Sequence, residues 1–177
     1  MLLQATAGWG FRSLAVAGRV ATGLEGRVSE AGRRGAAGVG RQWLGLCLAL
    51  AIHAADEAFT GFLPVYNDAV RAITELFPFV PAPSLTLAVW LWSSVAFVGG
   101  LTLLVPLAYK GVPWMRVATI GVALIALANV SGHVGGSIFA GRLMPGVYSA
   151  PVLAIAGIYG LVGAWRWRPE QPAGRVS

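Results

Sequence analysis

Cysteine and charge are what this sequence has least of. Cys47 is the single cysteine among 177 residues, which excludes an intrachain disulfide and a metal site built from several thiolates of one chain. Only 11% of the residues are charged, whereas a typical soluble domain has about 25%. With 56% hydrophobic residues, the composition excludes an ordinary soluble globular domain.

Long runs without any charged residue take up most of the chain. Residues 76–109, 117–141 and 143–165 contain no Asp, Glu, Lys or Arg. About 20 apolar residues in a helix cross the hydrocarbon core of a bilayer. We therefore predict an all-α fold, a polytopic membrane four-helix bundle. Its spans are expected at about residues 43–63, 85–109, 116–140 and 144–165.

The two flanks of this apolar region have a different composition. Residues 1–41 are rich in Gly, Ala and Arg, and glycine disfavours a stable helix. We predict that they form a disordered or weakly helical cytoplasmic tail, although an organellar transit peptide is an alternative interpretation. Residues 42–168 are predicted to form the transmembrane domain, and residues 169–177 a short C-terminal tail.

The positions of the basic residues predict the orientation. Eleven of the thirteen Lys and Arg residues precede the first span, lie between the second and third, or follow the fourth. Arg71 and Arg142, the other two, lie in the remaining connections. Positive charge concentrates on the cytoplasmic side, so we predict a multi-pass protein of the cell membrane with both termini cytoplasmic.

This distribution also accounts for the net charge of +6 without a nucleic-acid partner. The chain has no motif that interleaves basic and aromatic residues for binding nucleic acid. The predicted partners are membrane lipids and a lipid or amphipathic substrate. The oligomeric state is left open by the sequence.

The long outer connection contains one amphipathic segment. Residues 68–77 alternate apolar and charged side chains at helical spacing, which is typical of a short interfacial helix. Asn67 or Asp68 is the expected N-cap. Such a helix either rests on the lipid headgroups or covers a site from outside.

Two polar clusters lie inside predicted spans. His53, Asp56 and Glu57 belong to the first span, and Asn129 and His133 to the third. Spacings of three and four residues place each cluster on one helix face, and a rise of about 1.5 Å per residue places both in the outer half of the bilayer. Charged groups at this depth cost about 2.5–3.5 kcal/mol each and are usually retained for function. We therefore predict that the two faces meet.

The chemistry of these groups favours a cation. Adjacent carboxylates in a medium of low dielectric constant need protons or a positive charge to compensate them. A divalent metal ion such as zinc would be held by His53, Glu57 and His133. Beside the ligand Glu57, the predicted catalytic residues are Asp56, Asn129 and Tyr148. In this hypothesis Asp56 assists or acts as general base, while Asn129 and Tyr148 orient or polarise the substrate.

The resulting hypothesis is a metal-dependent hydrolase acting on a lipid or amphipathic substrate near the outer leaflet. The sequence has no H-E-x-x-H motif, so the ligand set is inferred from co-location alone. Four alternatives remain open. The cluster is a proton or ion transport module, it belongs to a non-catalytic partner subunit, it is a buried hydrogen-bonded or ion-paired group that fixes helix packing, or Glu57 extends to the outer interface instead of joining it.

The same residues resemble the HXXEE family of small integral membrane proteins over about residues 42–165. The family is named for a His-x-x-Glu-Glu motif in its first span, and this chain has His53-x-x-Asp56-Glu57. The likeness continues in a later Asn-x-x-x-His and in a Pro-Gly followed by a small hydroxyl residue, here Asn129, His133, Pro145, Gly146 and Ser149. Aspartate at position 56 departs from the pattern and shortens that side chain by one methylene group, while Glu57 matches it. The resemblance implies a membrane protein with an enzyme-like site, without indicating a reaction.

Overall fold

The structure, a computed structural model, describes the backbone of residues 7–167 and the side chains of residues 30 and 32–167. Within this part of the chain all regular structure is helical, so the predicted all-α class is confirmed. The six helices are α1 (Ala7–Thr60), α2 (Phe62–Leu76), α3 (Leu87–Leu103), α4 (Val105–Tyr109), α5 (Trp114–Ala140) and α6 (Ala150–Arg166). The predicted C-terminal tail, residues 169–177, lies outside the described residues.

Three of the helical segments are long and apolar enough to cross a membrane. They are Gly32–Thr60, Leu87–Tyr109 and Trp114–Ala140. The fourth element of the bundle, α6, is apolar but has only 17 residues, about 25 Å of helix. The fourth span was predicted to start at residue 144, and this start is wrong because the helix begins six residues later, at Ala150. Gly146, with φ of 85°, holds the preceding residues in a turn.

The first helix is longer than the first predicted span and ends earlier. α1 runs without a break through residue 41 and stops at Thr60, where Gly61 adopts φ of 78° and turns the chain into α2. The sequence left open whether the N-terminal residues are disordered or weakly helical, and the structure has helix from Ala7. That they form a cytoplasmic tail stays a prediction.

The connection between the first two spans contains α2, which begins six residues before the predicted interfacial helix. Its capping position is Gly61, so the predicted cap at Asn67 or Asp68 is wrong. The Asn67 amide instead bonds the backbone of Leu85 twice, donating to its carbonyl and accepting from its N–H, both at 2.9 Å. This pair of bonds fixes the loop that leads into α3.

The bundle core has two clusters of buried apolar side chains along α1. One consists of Val39, Trp43, Cys47, Ala108, Met115 and Trp167, and the other of Leu46, Ala49, Ala123, Ala126 and Leu153. Much of the outer surface is also apolar, and Phe59 and Phe139 are almost fully exposed. In a bilayer such side chains face lipid rather than water, which fits a membrane protein.

Candidate metal centre

One face of α1 carries the polar groups of the first span. His53, Asp56, Glu57 and Thr60 follow one another at helical spacing, so their side chains lie on the same side of the helix. His53 is 3% exposed and Glu57 is 8% exposed, while Asp56 is half-buried. On α5, His133 is 7% exposed. These buried groups lie inside the bundle rather than against lipid.

The predicted meeting of the two polar faces is observed. His53 Nε2 lies 3.2 Å from His133 Nε2. Glu57 Oε1 lies 3.0 Å from His133 Nε2 and 3.6 Å from His53 Nε2. We call these three residues the His–Glu–His triad. Its three converging atoms form a group that could hold a metal ion.

The size of this triangle can be compared with metal coordination. Zinc binds nitrogen and oxygen ligands at about 2.0–2.2 Å, so the donor atoms of a tetrahedral site lie about 3.3–3.6 Å apart. The observed separations of 3.0, 3.2 and 3.6 Å are close to this range. Since the two shorter separations, 3.0 and 3.2 Å, are also hydrogen-bonding distances, the geometry permits either an ion or shared protons.

A chain of hydrogen bonds lies behind His53. Its Nδ1 is 2.7 Å from Ser149 Oγ, which is 2.7 Å from Asp56 Oδ2. The backbone N–H of Ser149 also donates to Asp56 Oδ2, at 2.8 Å. A serine hydroxyl has one proton, and an ionised carboxylate is its strongest acceptor here. Ser149 therefore donates to Asp56 and accepts from His53 Nδ1–H, which leaves the lone pair on Nε2, inside the triad.

The loop between α5 and α6 packs on the other imidazole. Gly146 lies so close to His133 that a Cβ at this position would be 2.7 Å from Cε1 of the ring. The N–H of Gly146 donates to Thr60 Oγ1 at 3.2 Å, which ties the loop to the end of α1. The ring of Phe62 contacts His133 from another side, with centroids 5.8 Å apart. His133 is thus confined by the α5–α6 loop, by α2 and, through His53 and Glu57, by α1.

The structure thus brings four predicted site residues together: His53, Asp56, Glu57 and His133. Asp56 bonds Ser149 instead of entering the triad. Asn129 lies one turn before His133 and is half-buried, and its Oδ1 has no hydrogen-bond partner among the described residues. Tyr148 is 66% exposed and takes part in none of the hydrogen bonds above. The catalytic roles assigned to these residues stay predictions.

Two contributors were missed by the sequence reasoning. Thr60 follows Asp56 by four residues, donates to its backbone carbonyl at 2.6 Å and accepts from Gly146. Its position on the polar face of α1 was the signal that pointed to it. Phe62 gave no such signal, because the turn at Gly61 separates it from that face.

Comparison with known proteins places the chain in one family. No curated protein matches it, and no solved structure does. A family model described as proteins of unknown function with an HXXEE motif matches residues 43–159, more than half of the chain. The matched region includes both histidines, both carboxylates and the serine of the site described above. The chain therefore belongs to the HXXEE family.

Proposed function

We propose that the His–Glu–His triad binds a divalent metal ion within the membrane-spanning bundle. The ligands would be His53 Nε2, Glu57 Oε1 and His133 Nε2, and the observation that carries the proposal is the size of the triangle they form. Two imidazoles and one carboxylate suit zinc, and three protein ligands leave one coordination position for water or substrate.

Charge compensation supports this assignment. Glu57 is buried, and among the described residues its ion-pair partners are the two histidines alone. A buried carboxylate without compensation costs several kcal/mol. A divalent ion compensates Glu57 while leaving both imidazoles neutral, as ligation requires.

The reaction that fits this site best is hydrolysis of a lipid or another amphipathic substrate. Water would add to the acyl carbon through its oxygen, and its proton would go to the leaving group. When bound, the ion would polarise the carbonyl group and lower the pKa of water. Ser149 and Asp56 would hold the ring of His53 in place, so Asp56 assists as a positioning residue. The unpartnered oxygen of Asn129 and the phenol of Tyr148 are available to orient the substrate.

A cavity beside the site supports an acyl substrate. It lies between α1 and α3, has a volume of about 500 Å³ and is lined largely by small residues, including Ala51, Ala54, Ala55, Ala58 and Gly99. Trp90 lines it too, with its ring centroid 6.1 Å from that of Phe62, which in turn contacts His133. An acyl chain in this cavity would end beside the aromatic pair that borders the triad. With both termini cytoplasmic, the site would belong to the outer half of the membrane.

A second candidate is a proton relay. It is favoured by the continuous series of contacts that runs from Glu57 through His53 and Ser149 to Asp56. Histidines and carboxylates in such a series exchange protons between neighbouring sites. A proton relay requires no bound ion, so the metal content of the purified protein distinguishes it from the metal centre.

Metal content of the purified protein tests the proposal. We expect about one transition-metal ion per chain in wild type, measured by elemental mass spectrometry after purification in detergent. Glu57→Gln should lose the ion, while Glu30→Gln, which removes an exposed carboxylate from the same helix, should keep it. Size-exclusion chromatography reports whether both variants fold. Wild-type protein without a stoichiometric ion, or an ion retained by folded Glu57→Gln, would overturn the proposal.

A further inference from the structure

A second cavity lies at the other end of the bundle. It is formed by α1 and α6, has a volume of about 580 Å³ and includes Arg34, Gly38, Gln42, Tyr159, Arg166 and Trp167 in its lining. Gln42 precedes His53 by eleven residues, about 16 Å along the helix. The two sites are therefore separate, and the metal proposal does not bear on this one.

The charge of this cavity is of one sign. Two guanidinium groups, of Arg34 and Arg166, belong to its lining, and the described lining contains no carboxylate. Arg34 pairs with Glu30 at 3.4 Å, but both side chains are well exposed. Exposed pairs of this kind are weak, so the guanidinium group remains available to another anion. Arginine binds phosphate oxygens through parallel N–H donors, which makes a phosphate group the matching ligand.

Inside the cavity is a polar side chain that lacks a partner. Gln42 is 8% exposed, and its Oε1 is buried without a hydrogen-bond partner in the described part of the chain. The amide packs directly on Gly163, where a Cβ would collide with it, so the side chain is held in position. Buried polar groups are rarely left unsatisfied, and an unpaired amide oxygen calls for a hydroxyl or amine donor.

The cavity also has the apolar and aromatic surface that a lipid requires. Val39 and Val162 line it together with Tyr159 and Trp167. Tyrosine and tryptophan are enriched where a membrane meets water. The cavity lies toward the beginning of the apolar segment Gly32–Thr60, where a headgroup and the first part of its acyl chains would both be accommodated.

We infer that this cavity binds the headgroup of an anionic glycerophospholipid that carries free hydroxyl groups, of which phosphatidylglycerol is the simplest. Its phosphate lies between the guanidinium groups of Arg34 and Arg166. A headgroup hydroxyl donates to Gln42 Oε1. The acyl chains leave along the valine side chains into the bilayer.

Native mass spectrometry of the delipidated full chain in detergent tests this inference. Phosphatidylglycerol should bind at least about tenfold more tightly than zwitterionic phosphatidylcholine. The choline ammonium group neutralises the phosphate charge of phosphatidylcholine, whereas the phosphate charge of phosphatidylglycerol is free to pair with the arginines. Glycerophosphoglycerol, which is the same headgroup without acyl chains, should not bind at comparable concentration. Equal affinity for the two lipids would overturn the anionic headgroup, and tight binding of glycerophosphoglycerol would overturn the assignment of a lipid.

Two glycine variants locate the binding site. A Cβ at Gly38 meets nothing within 4 Å, so a side chain can begin there without a clash, and Gly38→Leu should fill part of the cavity. Gly45 on the same helix is equally open but does not line the cavity, which makes Gly45→Leu the matched control. Both changes raise helix propensity, so neither should impair folding. Phosphatidylglycerol should bind about tenfold more weakly to Gly38→Leu than to wild type, and with unchanged affinity to Gly45→Leu. Equal binding to both variants would show that the lipid lies elsewhere.

A third variant tests the role of the amide. Gln42→Met keeps the length of the side chain and removes its hydrogen-bonding groups. We expect wild type to prefer phosphatidylglycerol over phosphatidic acid, which has no headgroup hydroxyl, and Gln42→Met to lose that preference. An unchanged preference in the folded variant would contradict the hydrogen bond to Gln42.

Discussion

Gly146 lies against the imidazole of His133, with φ of 85° and no room for a side chain. Gly146→Ala should therefore push the ring out of the triad. The left-handed backbone costs about 1–2 kcal/mol, and the overlap with the ring adds about 1–3 kcal/mol. We expect a lower melting temperature in detergent and loss of the bound metal.

A matched control separates these two effects. Gly141 also has positive φ, 61°, but a Cβ there meets nothing within 4 Å. Gly141→Ala should lose stability through the backbone alone and keep its metal. If Gly146→Ala retains metal as tightly as Gly141→Ala, the contact with His133 does not matter for the site.

Ser149 connects Asp56 to His53 through hydrogen bonds. Removing its hydroxyl tests whether these bonds position His53 as a metal ligand. Ser149→Ala should weaken metal binding by about 10- to 100-fold, as loss of a group that orients a ligand usually does. The affinity is measured by competition with a chelator of known strength. Ser131→Ala removes a hydroxyl that, among the described residues, bonds only the backbone carbonyl of Leu127 on its own helix. Equal affinities in these two variants would rule out a positioning role for Ser149.

The spans and the polar helix faces were predictable because they depend on local sequence. Runs without charge mark membrane segments, and a spacing of four residues places His53 and Glu57 on one face. Equal depth then predicted that His133 would meet them. These inferences require only the helical rise and the cost of burying charge.

The sequence assigned Glu57 to the ligand set and Asp56 to an assisting role, but the hydrogen bonds from Ser149 that hold Asp56 were not predictable in the same way. Both are adjacent carboxylates on one helix, and only the position of Ser149 in the folded chain directs Asp56 away from the triad. The late start of α6 has a similar origin. The turn at Gly146 is held by contacts with His133 and Thr60, which are distant in sequence.

Asn129 offers a test that separates function from packing. Its Oδ1 has no hydrogen-bond partner in the described part of the chain, which costs about 1–3 kcal/mol if nothing else satisfies it. Asn129→Leu should therefore leave the melting temperature unchanged or raise it, while substrate turnover falls. A marked loss of stability would instead show that the side chain supports helix packing.

The cavity between α1 and α3 predicts a dependence on acyl-chain length. Gly99 lines it and Gly100 does not, and a Cβ at either glycine meets nothing within 4 Å. Gly99→Leu should reduce hydrolysis of long-chain esters more than of short-chain esters, because only long chains need the filled space. Gly100→Leu should leave the ratio of the two rates unchanged. The same ratio of long-chain to short-chain hydrolysis in both variants would show that the cavity does not hold the acyl chain of the substrate.

The orientation of the chain can be tested with introduced cysteines. Cys47 is buried and is replaced by alanine first, so that each reporter stands alone. Glu75 on α2 and Lys110 after α4 are both exposed and lie in successive connections. With both termini cytoplasmic, Glu75→Cys should react with a membrane-impermeant maleimide in intact cells, and Lys110→Cys only after permeabilisation. The reverse labelling pattern would mean that the bundle has the opposite orientation. The His–Glu–His triad would then lie in the inner half of the membrane, and the proposed substrate would have to come from the inner leaflet.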